Sequence, residues 1–236
     1  MRSVLSRWAA AAADLALPRG CLGCHRSASA VCPDCWRSIG RPTAFRPDPC
    51  PCGFPETWVA GAYDAVLRTA VLHVKERGRS DLLPLLAIAL AAAVARAAPG
   101  PVAVLLVPVP STRAAARRRG GDHMRLLARR TAVELQDSGR PAAVLPALRL
   151  LRTPKDSAGL TSAERTRNLA GAFAAAADTA HLADGASVVL VDDVVTTGTT
   201  LTECARVLRE RGVLVSAAAL AGTARRRPGS AVPVNR

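Results

Sequence analysis

The stretch from Val188 to Thr200 constrains this chain most. Val188-Val189-Leu190-Val191 is a short apolar, mostly β-branched run, the pattern of a strand buried in a parallel sheet. Asp192 and Asp193 follow, at the point where such a strand is expected to surface. The hydroxyl- and glycine-rich turn Thr196-Thr197-Gly198-Thr199-Thr200 comes next, then a helical pattern from Leu201 to Arg211, with Gly212 placed to end it. In an open α/β sheet, ligands bind beyond the carboxyl ends of the strands. A helix N-terminus there offers unpaired N–H groups and the positive end of a dipole, which suits phosphate. Gly198 lets the backbone wrap closely around an anion, and Thr196, Thr197, Thr199 and Thr200 add hydroxyl donors. Asp192 and Asp193 can accept hydrogen bonds from sugar hydroxyls or hold Mg²⁺ through water. The combination suits a ribose phosphate. A strand–turn–helix with an incidental acidic pair is the plainer alternative, and it leaves the order of residue types unexplained. A Walker B strand is excluded, because no Gly-x-x-x-x-Gly-Lys-[Ser/Thr] exists and the only lysines are Lys75 and Lys155.

At 236 residues the chain can hold one sizeable domain and a small one. Its net charge of +14 favours anionic partners: phosphorylated metabolites, nucleic acid or acidic lipid. Solubility and codon bias account for part of that excess. Six of the seven aromatic residues (Trp8, Trp36, Phe45, Phe54, Trp58 and Tyr63) lie at or before position 63, so the rest of the chain lacks the rings of a base-stacking groove. The apolar run after Arg7 is short and broken by Asp14, which argues against a secretory signal. Leu82 to Ala95 is too short to span a bilayer, contains Pro84 and is closed by Arg96. A cytoplasmic protein without a membrane span is expected.

Residues 2–17 carry Val4, Leu5, Trp8, Ala12 and Leu15 at helical spacing, and Pro18 stops them. Cys21-Leu22-Gly23-Cys24 and Cys32-Pro33-Asp34-Cys35 then form two C-x-x-C knuckles, the spacing of a structural Zn²⁺ site with four thiolates. Zinc would staple a module too small to fold alone. Cys50-Pro51-Cys52 is a weaker C-x-C pair with no second pair before Tyr63. Cys204 falls inside the helix after the acids and reads as a buried small residue.

Residues 37–58 are proline-rich and lack a period, which places a domain boundary near Trp58. Helices are expected from Ala65 to about Lys75, closed by Gly78, and from Ser80 or Asp81 to Ala98, with Pro84 in the first turn. Val102 to Val107 reads as a buried strand opening into Pro108-Val109-Pro110-Ser111-Thr112-Arg113, a fixed loop whose hydroxyl and arginine suit a second phosphate. The run Arg117-Arg118-Arg119 is either an anion-attracting rim or a solvated face. His123 is a candidate general acid–base residue or a cap for the helix Met124 to Gln136. Ala143 to Leu151 reads as one strand. Residues 152–160 suit a mobile lid, and Thr161 with Glu164 makes a capping box for a helix through Leu169. A last strand spans Val213 to Leu220, and the tail from Arg225 is basic and rich in Gly and Pro.

The strand, two acids and Thr-Gly-Thr-Thr of 188–200 resemble the 5-phosphoribosyl pyrophosphate (PRPP) signature of type I phosphoribosyltransferases. Cys21, Cys24, Cys32 and Cys35, with Val107-Pro108-Val109-Pro110, Leu160, Arg165, Asn168 and Gly171-Ala172-Phe173, extend the resemblance to the ComF/GntX family, linked to natural DNA uptake in bacteria. The resemblance implies a type I phosphoribosyltransferase fold, α/β with a parallel twisted sheet flanked by helices, behind a small zinc-binding module. The expected division is 1–58 for the N-terminal helix and zinc module, 59–224 for the transferase-like domain and 225–236 for the tail. It implies that Asp192 and Asp193 hold the ribose hydroxyls with Mg²⁺ nearby, that the 196–200 turn grips the 5′-phosphate, and that Ser111 and Arg113 hold pyrophosphate. Ribose 5-phosphate would pass to a base that the sequence does not identify. The other reading is a non-catalytic protein that reuses this fold to bind single-stranded DNA or a DNA-uptake partner. A homo-oligomer is compatible with either.

Overall fold

The computed structural model describes residues 20–26, 30–37, 39, 41–118, 121–153, 162–176 and 185–223. The expected helix at 2–17, most of the expected lid, Thr161 of the capping box and the basic tail lie outside the described residues.

In chain order the elements are α1 (Pro33–Arg37), β1 (Thr43–Phe45), β2 (Thr57–Ala62), α2 (Ala65–Arg77), a 3₁₀ turn (Ser80–Leu82), α3 (Leu83–Ala97), β3 (Val104–Pro108), α4 (Arg113–Arg118) and α5 (His123–Asp137). They continue with β4 (Ala142–Val144), β5 (Leu148–Leu150), α6 (Ser162–Leu169), β6 (Phe173–Ala175), β7 (Ser187–Val195), α7 (Thr199–Arg209) and β8 (Val215–Gly222). Six strands form one sheet in the order β1-β2-β8-β7-β3-β4, and β5 and β6 form a separate antiparallel hairpin. Among the described residues, only the β1–β2 pairing in the large sheet is antiparallel. This is the mixed α/β architecture with a largely parallel sheet that the strand–helix alternation predicts.

Alternate residues of each strand feed two apolar layers. On one face Val104, Leu106, Val189, Val191, Ala218 and Leu220 pack against α2, α3 and α5. On the other, Val107, Leu190, Ala217 and Ala219 pack against α7 and the β5–β6 hairpin. Both faces of β7 and β8 are thus covered, which is why their sequences are apolar without alternation. The helical stretch Ser80–Ala97 is the one among the described residues long and apolar enough to cross a membrane, and half of it is buried inside this fold. Leu83, Leu86, Leu90 and Val94 are core residues, so its apolarity is accounted for by packing.

Several boundaries differ from expectation for visible reasons. The segment Ala143 to Leu151 is not one strand. Leu145 N–H donates to Leu106 O at 2.9 Å, Pro146 has no N–H to continue the ladder, and Leu148 joins the other sheet. The expected boundary near Trp58 falls inside β2, and β1, ahead of it, is already part of the main sheet. Helix α5 begins at His123, one residue early, because Asp122 is the cap and accepts from Arg125 N–H at 3.2 Å. Helix α2 does end at Gly78, which adopts φ 63°. The last strand is shifted two residues toward the C-terminus relative to expectation and ends at Gly222.

The cysteine knuckles dock on this domain. Leu22, Val31 and Trp36 pack against the first apolar layer, and Ile39 is fully buried in it. Gly23 is required by that contact, since a Cβ there would stand 2.6 Å from Val66 Cγ2 and 2.7 Å from Cys35 Sγ. The hairpin layer is tied down in turn. Gly171 N–H donates to Glu203 Oε1 on α7 at 2.8 Å, and Arg152 Nη2 donates to the carbonyls of Asn168 and Ala170.

Candidate active site

The two acids lie inside β7, not after it. Pairing with β3 stops at Pro108 and Val191, where the prolines of the 108–110 loop end the ladder. Pairing with β8 continues four residues further, to Val195 and Gly222. The acids therefore obey strand alternation and point to opposite faces.

Asp193 turns toward the α2–α5 layer. Its Oδ2 lies 2.6 Å from Lys75 Nζ and 2.7 Å from His123 Nε2. The group is buried, and the void beside it, which it lines with Lys75, His123 and apolar side chains such as Leu86 and Leu220, is about 10 Å³. Burial raises the pKa of Asp193, but hydrogen bonds and charge from His123 and Lys75 outweigh it and hold the carboxyl below its usual range.

Asp192 turns toward α7. It lines a shallow hollow with Val194, Val195, Thr196, Thr197, Gly198, Thr199, Thr200 and Leu201. Its Oδ1 accepts from Asp193 N–H at 2.8 Å. Burial and the adjacent Asp193 charge push its carboxyl up to about 7. Cys204 is fully buried on α7 beside it, and burial, then the charges of Asp192 and Glu203, raise that thiol well above its ordinary value. Cys204 is a core residue, as its helical position suggested.

The turn has the geometry of an anion cradle. Gly198 sits at φ 73° as the cap of α7, leaving the first N–H groups of that helix at the hollow. Thr197 Oγ1 and Thr199 Oγ1 share a hydrogen bond of 2.9 Å, and Thr202 Oγ1 donates to Gly198 O at 3.0 Å. A Cβ on Gly198 would meet the Phe54 ring at 2.6 Å and Pro47 Cγ at 3.0 Å. The proline-rich 46–55 strap thus backs the turn, and Arg209 Nη2 on α7 donates to Gly53 O within it.

Ser111 lies in a second opening, beyond the end of β3, the neighbour of β7. This cleft of about 740 Å³ is lined by Ser111, Ala114, Arg117, Arg149, Leu150, Leu151, Arg152 and Thr153. Its size is that of small-molecule sites in general. Arg113 is the first residue of α4, and its side chain lies outside the described residues.

Residues 147–235 match the phosphoribosyl transferase domain. The match runs from the β5–β6 hairpin through β7, the turn, α7 and β8, and so contains Asp192, Asp193 and the whole cradle. It supports phosphoribosyl chemistry as the general class. A search of curated proteins gives no match.

The four knuckle cysteines form the other site. The Sγ atoms of Cys21, Cys24, Cys32 and Cys35 all lie within 4.8 Å of one another, with Cys24 and Cys32 at 3.6 Å. Tetrahedral Zn²⁺ with four Zn–S bonds separates its sulfurs by about 3.8 Å, so this cluster can hold zinc. Backbone N–H groups of Cys24 and Cys32 draw the Cys21 thiol down to about 6, while the hydrogen bond to Cys21 pushes Cys35 up to about 12. A thiolate already stabilised by N–H donors is what a metal knuckle needs.

The sequence did not reveal Lys75. Its available signal was compositional: it is one of two lysines in an arginine-rich chain, and it pairs with a site carboxylate.

Proposed function

We propose that this protein binds PRPP and transfers ribose 5-phosphate to an acceptor base with release of pyrophosphate. The observation that carries the proposal is the hollow that joins Asp192 to the glycine-capped N-terminus of α7 within the domain match. In this reading the N–H groups and threonine hydroxyls of 196–200 hold the 5′-phosphate. Asp192 accepts from the ribose diol, Asp193 fixes the strand end through Lys75 and His123, and Ser111 with Arg113 receives the pyrophosphate. The donor set around Asp192, carboxylate and hydroxyl oxygens, is the hard-oxygen chemistry that Mg²⁺ takes. Bound there with PRPP, Mg²⁺ would neutralise charge on the departing pyrophosphate. The protein's own contribution is electrostatic: fixed N–H dipoles and arginines meet charge as it moves onto pyrophosphate.

The zinc module acts as a docked structural staple. The catalytic body is then the expected 59–224 together with β1 and the start of β2, which share its sheet, and 225–236 form the tail, with the cytoplasm as the expected compartment. The ComF/GntX resemblance adds an association with DNA uptake. A second reading, a non-catalytic binder of single-stranded DNA or a DNA-uptake partner, is favoured by the net charge of +14 and the arginines of the cleft. Its binding would weaken steeply with salt.

The test is a thermal-shift titration of the zinc-loaded full chain with PRPP plus Mg²⁺, followed by pyrophosphate release across a panel of bases. A saturable shift that needs roughly tenfold or more ligand in Asp192→Asn supports the proposal. An unchanged shift in that variant, or a response to oligonucleotide alone, rejects it.

A further inference from the structure

The cleft beyond β3 has a composition that the transfer reaction does not require. Three arginines line it, Arg117 from α4 and Arg149 and Arg152 from the β5 segment, with no carboxylate and no aromatic ring among the lining residues. Arg152 is committed through Nη2 to the carbonyls of Asn168 and Ala170. Arg117 and Arg149 have no hydrogen bond or ion pair among the described residues. Like-charged groups lining one cavity, without a counter-ion among the described residues, repel one another, and an anionic ligand relieves that repulsion. The cleft volume of about 740 Å³ greatly exceeds a pyrophosphate, whose expected partners Ser111 and Arg113 lie on the β3 side. Arg149 comes from a different sheet, on β5 of the hairpin. That leaves a cationic wall facing whatever shares the cleft with pyrophosphate.

We infer that the acceptor is a heterocycle carrying a carboxylate, seated in this cleft by Arg149 of the hairpin and Arg117 of α4. This inference rests on the transferase reading above. A guanidinium fork matches a carboxylate in a bidentate manner, and the flanking Leu150 and Leu151 offer apolar surface to a ring. The absence of aromatic side chains among the lining residues disfavours a neutral base held chiefly by stacking. In the transfer, the lone pair of the acceptor nitrogen forms the C1′–N bond as the C1′–O bond to pyrophosphate breaks. Pyrophosphate leaves with that bond's electron pair; an acceptor nitrogen that bore a proton passes it to water, and one that bore none keeps the positive charge on the ring. The carboxylate takes no part in the exchange of bonds; it orients the ring.

The experiment uses matched heterocycle pairs that differ in one carboxylate: orotate against uracil, and nicotinate against pyridine. Affinities are measured by calorimetry on the zinc-loaded full chain, with and without PRPP plus Mg²⁺, at low and at physiological salt. At least one carboxylated member should bind roughly tenfold or more tighter than its neutral partner, the scale of a charge-assisted hydrogen bond. Arg149→Gln, and separately Arg117→Gln, should shrink that ratio, while a purely structural role would weaken both members alike. Unliganded melting temperatures report whether each variant folds. No preference in any pair overturns the inference, as does a preference that survives both substitutions. Binding of a single-stranded oligonucleotide that is lost in the same variants, without carboxylate preference, assigns the cleft to nucleic acid instead and also overturns it. PRPP binding is read in the same protein: its loss defeats the transferase reading, whereas its presence without carboxylate preference defeats this inference alone.

Discussion

Asp192 and Asp193 are adjacent in sequence and opposite in circumstance. Asp193 enters a closed layer, where a lysine and a histidine grip one oxygen and the neighbouring void holds a single water at most. Asp192 enters the hollow at the start of α7, with one backbone N–H as its donor among the described residues and with threonine hydroxyls around it. The same pair of charges is thereby divided into an anchored, ionised group and an unneutralised one facing ligand space. The cause is the length of β8. Because it continues beside β7 after β3 has stopped, strand alternation persists through both acids.

The largest expected effect comes from the anchored side. Asp193→Ala leaves Lys75 and His123 facing each other without a counter-charge. Breaking one partner out of a buried ion pair costs about 3–5 kcal/mol, measurable by urea unfolding. The double substitution Lys75→Met with Asp193→Leu, which removes the charges together, should recover most of that loss. If the double variant is no more stable than the single one, Asp193 is not held chiefly by Lys75, and the contrast between the acids weakens.

How much of this was legible in the sequence follows from the same geometry. The cradle was legible because its signals are local: glycine at the cap, hydroxyls around it and an apolar strand before it. Cys21, Cys24, Cys32 and Cys35 were legible because ligand spacing is a property of the chain itself. The opposed directions of the acids were not, because they depend on where β8 stops, and β8 lies downstream of α7. The split of Ala143–Leu151 carried a signal in Pro146 that periodicity masked. The contact of Lys75 and His123 with Asp193 joins three distant positions, and no local pattern announces it. Phe54 behind Gly198 was illegible for the same reason.

The next effect belongs to the cradle. Gly198→Ala forces a side chain onto φ 73° and drives its Cβ to 2.6 Å from the Phe54 ring. The left-handed backbone alone costs about 1–3 kcal/mol. Adding Phe54→Ala should relieve the clash and not the backbone strain, so stability should return only in part. Full recovery would mean that the turn tolerates a side chain, and that its glycine serves packing on the strap.

Asp192→Asn should act in the reverse sense to Asp193→Ala. It removes a carboxylate that burial and a like charge already disfavour, so unfolding stability should hold or rise slightly. Loss of a charged acceptor for the ribose hydroxyls should weaken PRPP plus Mg²⁺ roughly tenfold to a hundredfold. A variant that loses stability and keeps ligand affinity would exchange the roles assigned to the two acids.

The smallest effect is on pH dependence, and it tests the division directly. Asp192 titrates near 7 in the folded protein against an ordinary value of 3.8, so the fold binds a proton there that the unfolded chain has released. That stabilisation is complete below the unfolded value and is lost as pH rises through about 7. Asp193 has the opposite sign: held below its ordinary value of 3.8, it stabilises the fold above that range and fails only as pH falls through about 2. Between about pH 4 and 7 the two therefore separate, because Asp193 is ionised in both states and only Asp192 contributes a slope. The wild type should lose stability relative to Asp192→Asn across that window. Its affinity for PRPP plus Mg²⁺ should rise across the same window, as the group that accepts the diol becomes charged. Parallel stability curves for the two proteins would show Asp192 already ionised at low pH, with its charge neutralised by a partner on the α7 side, and the hollow would then not be the open half of the pair.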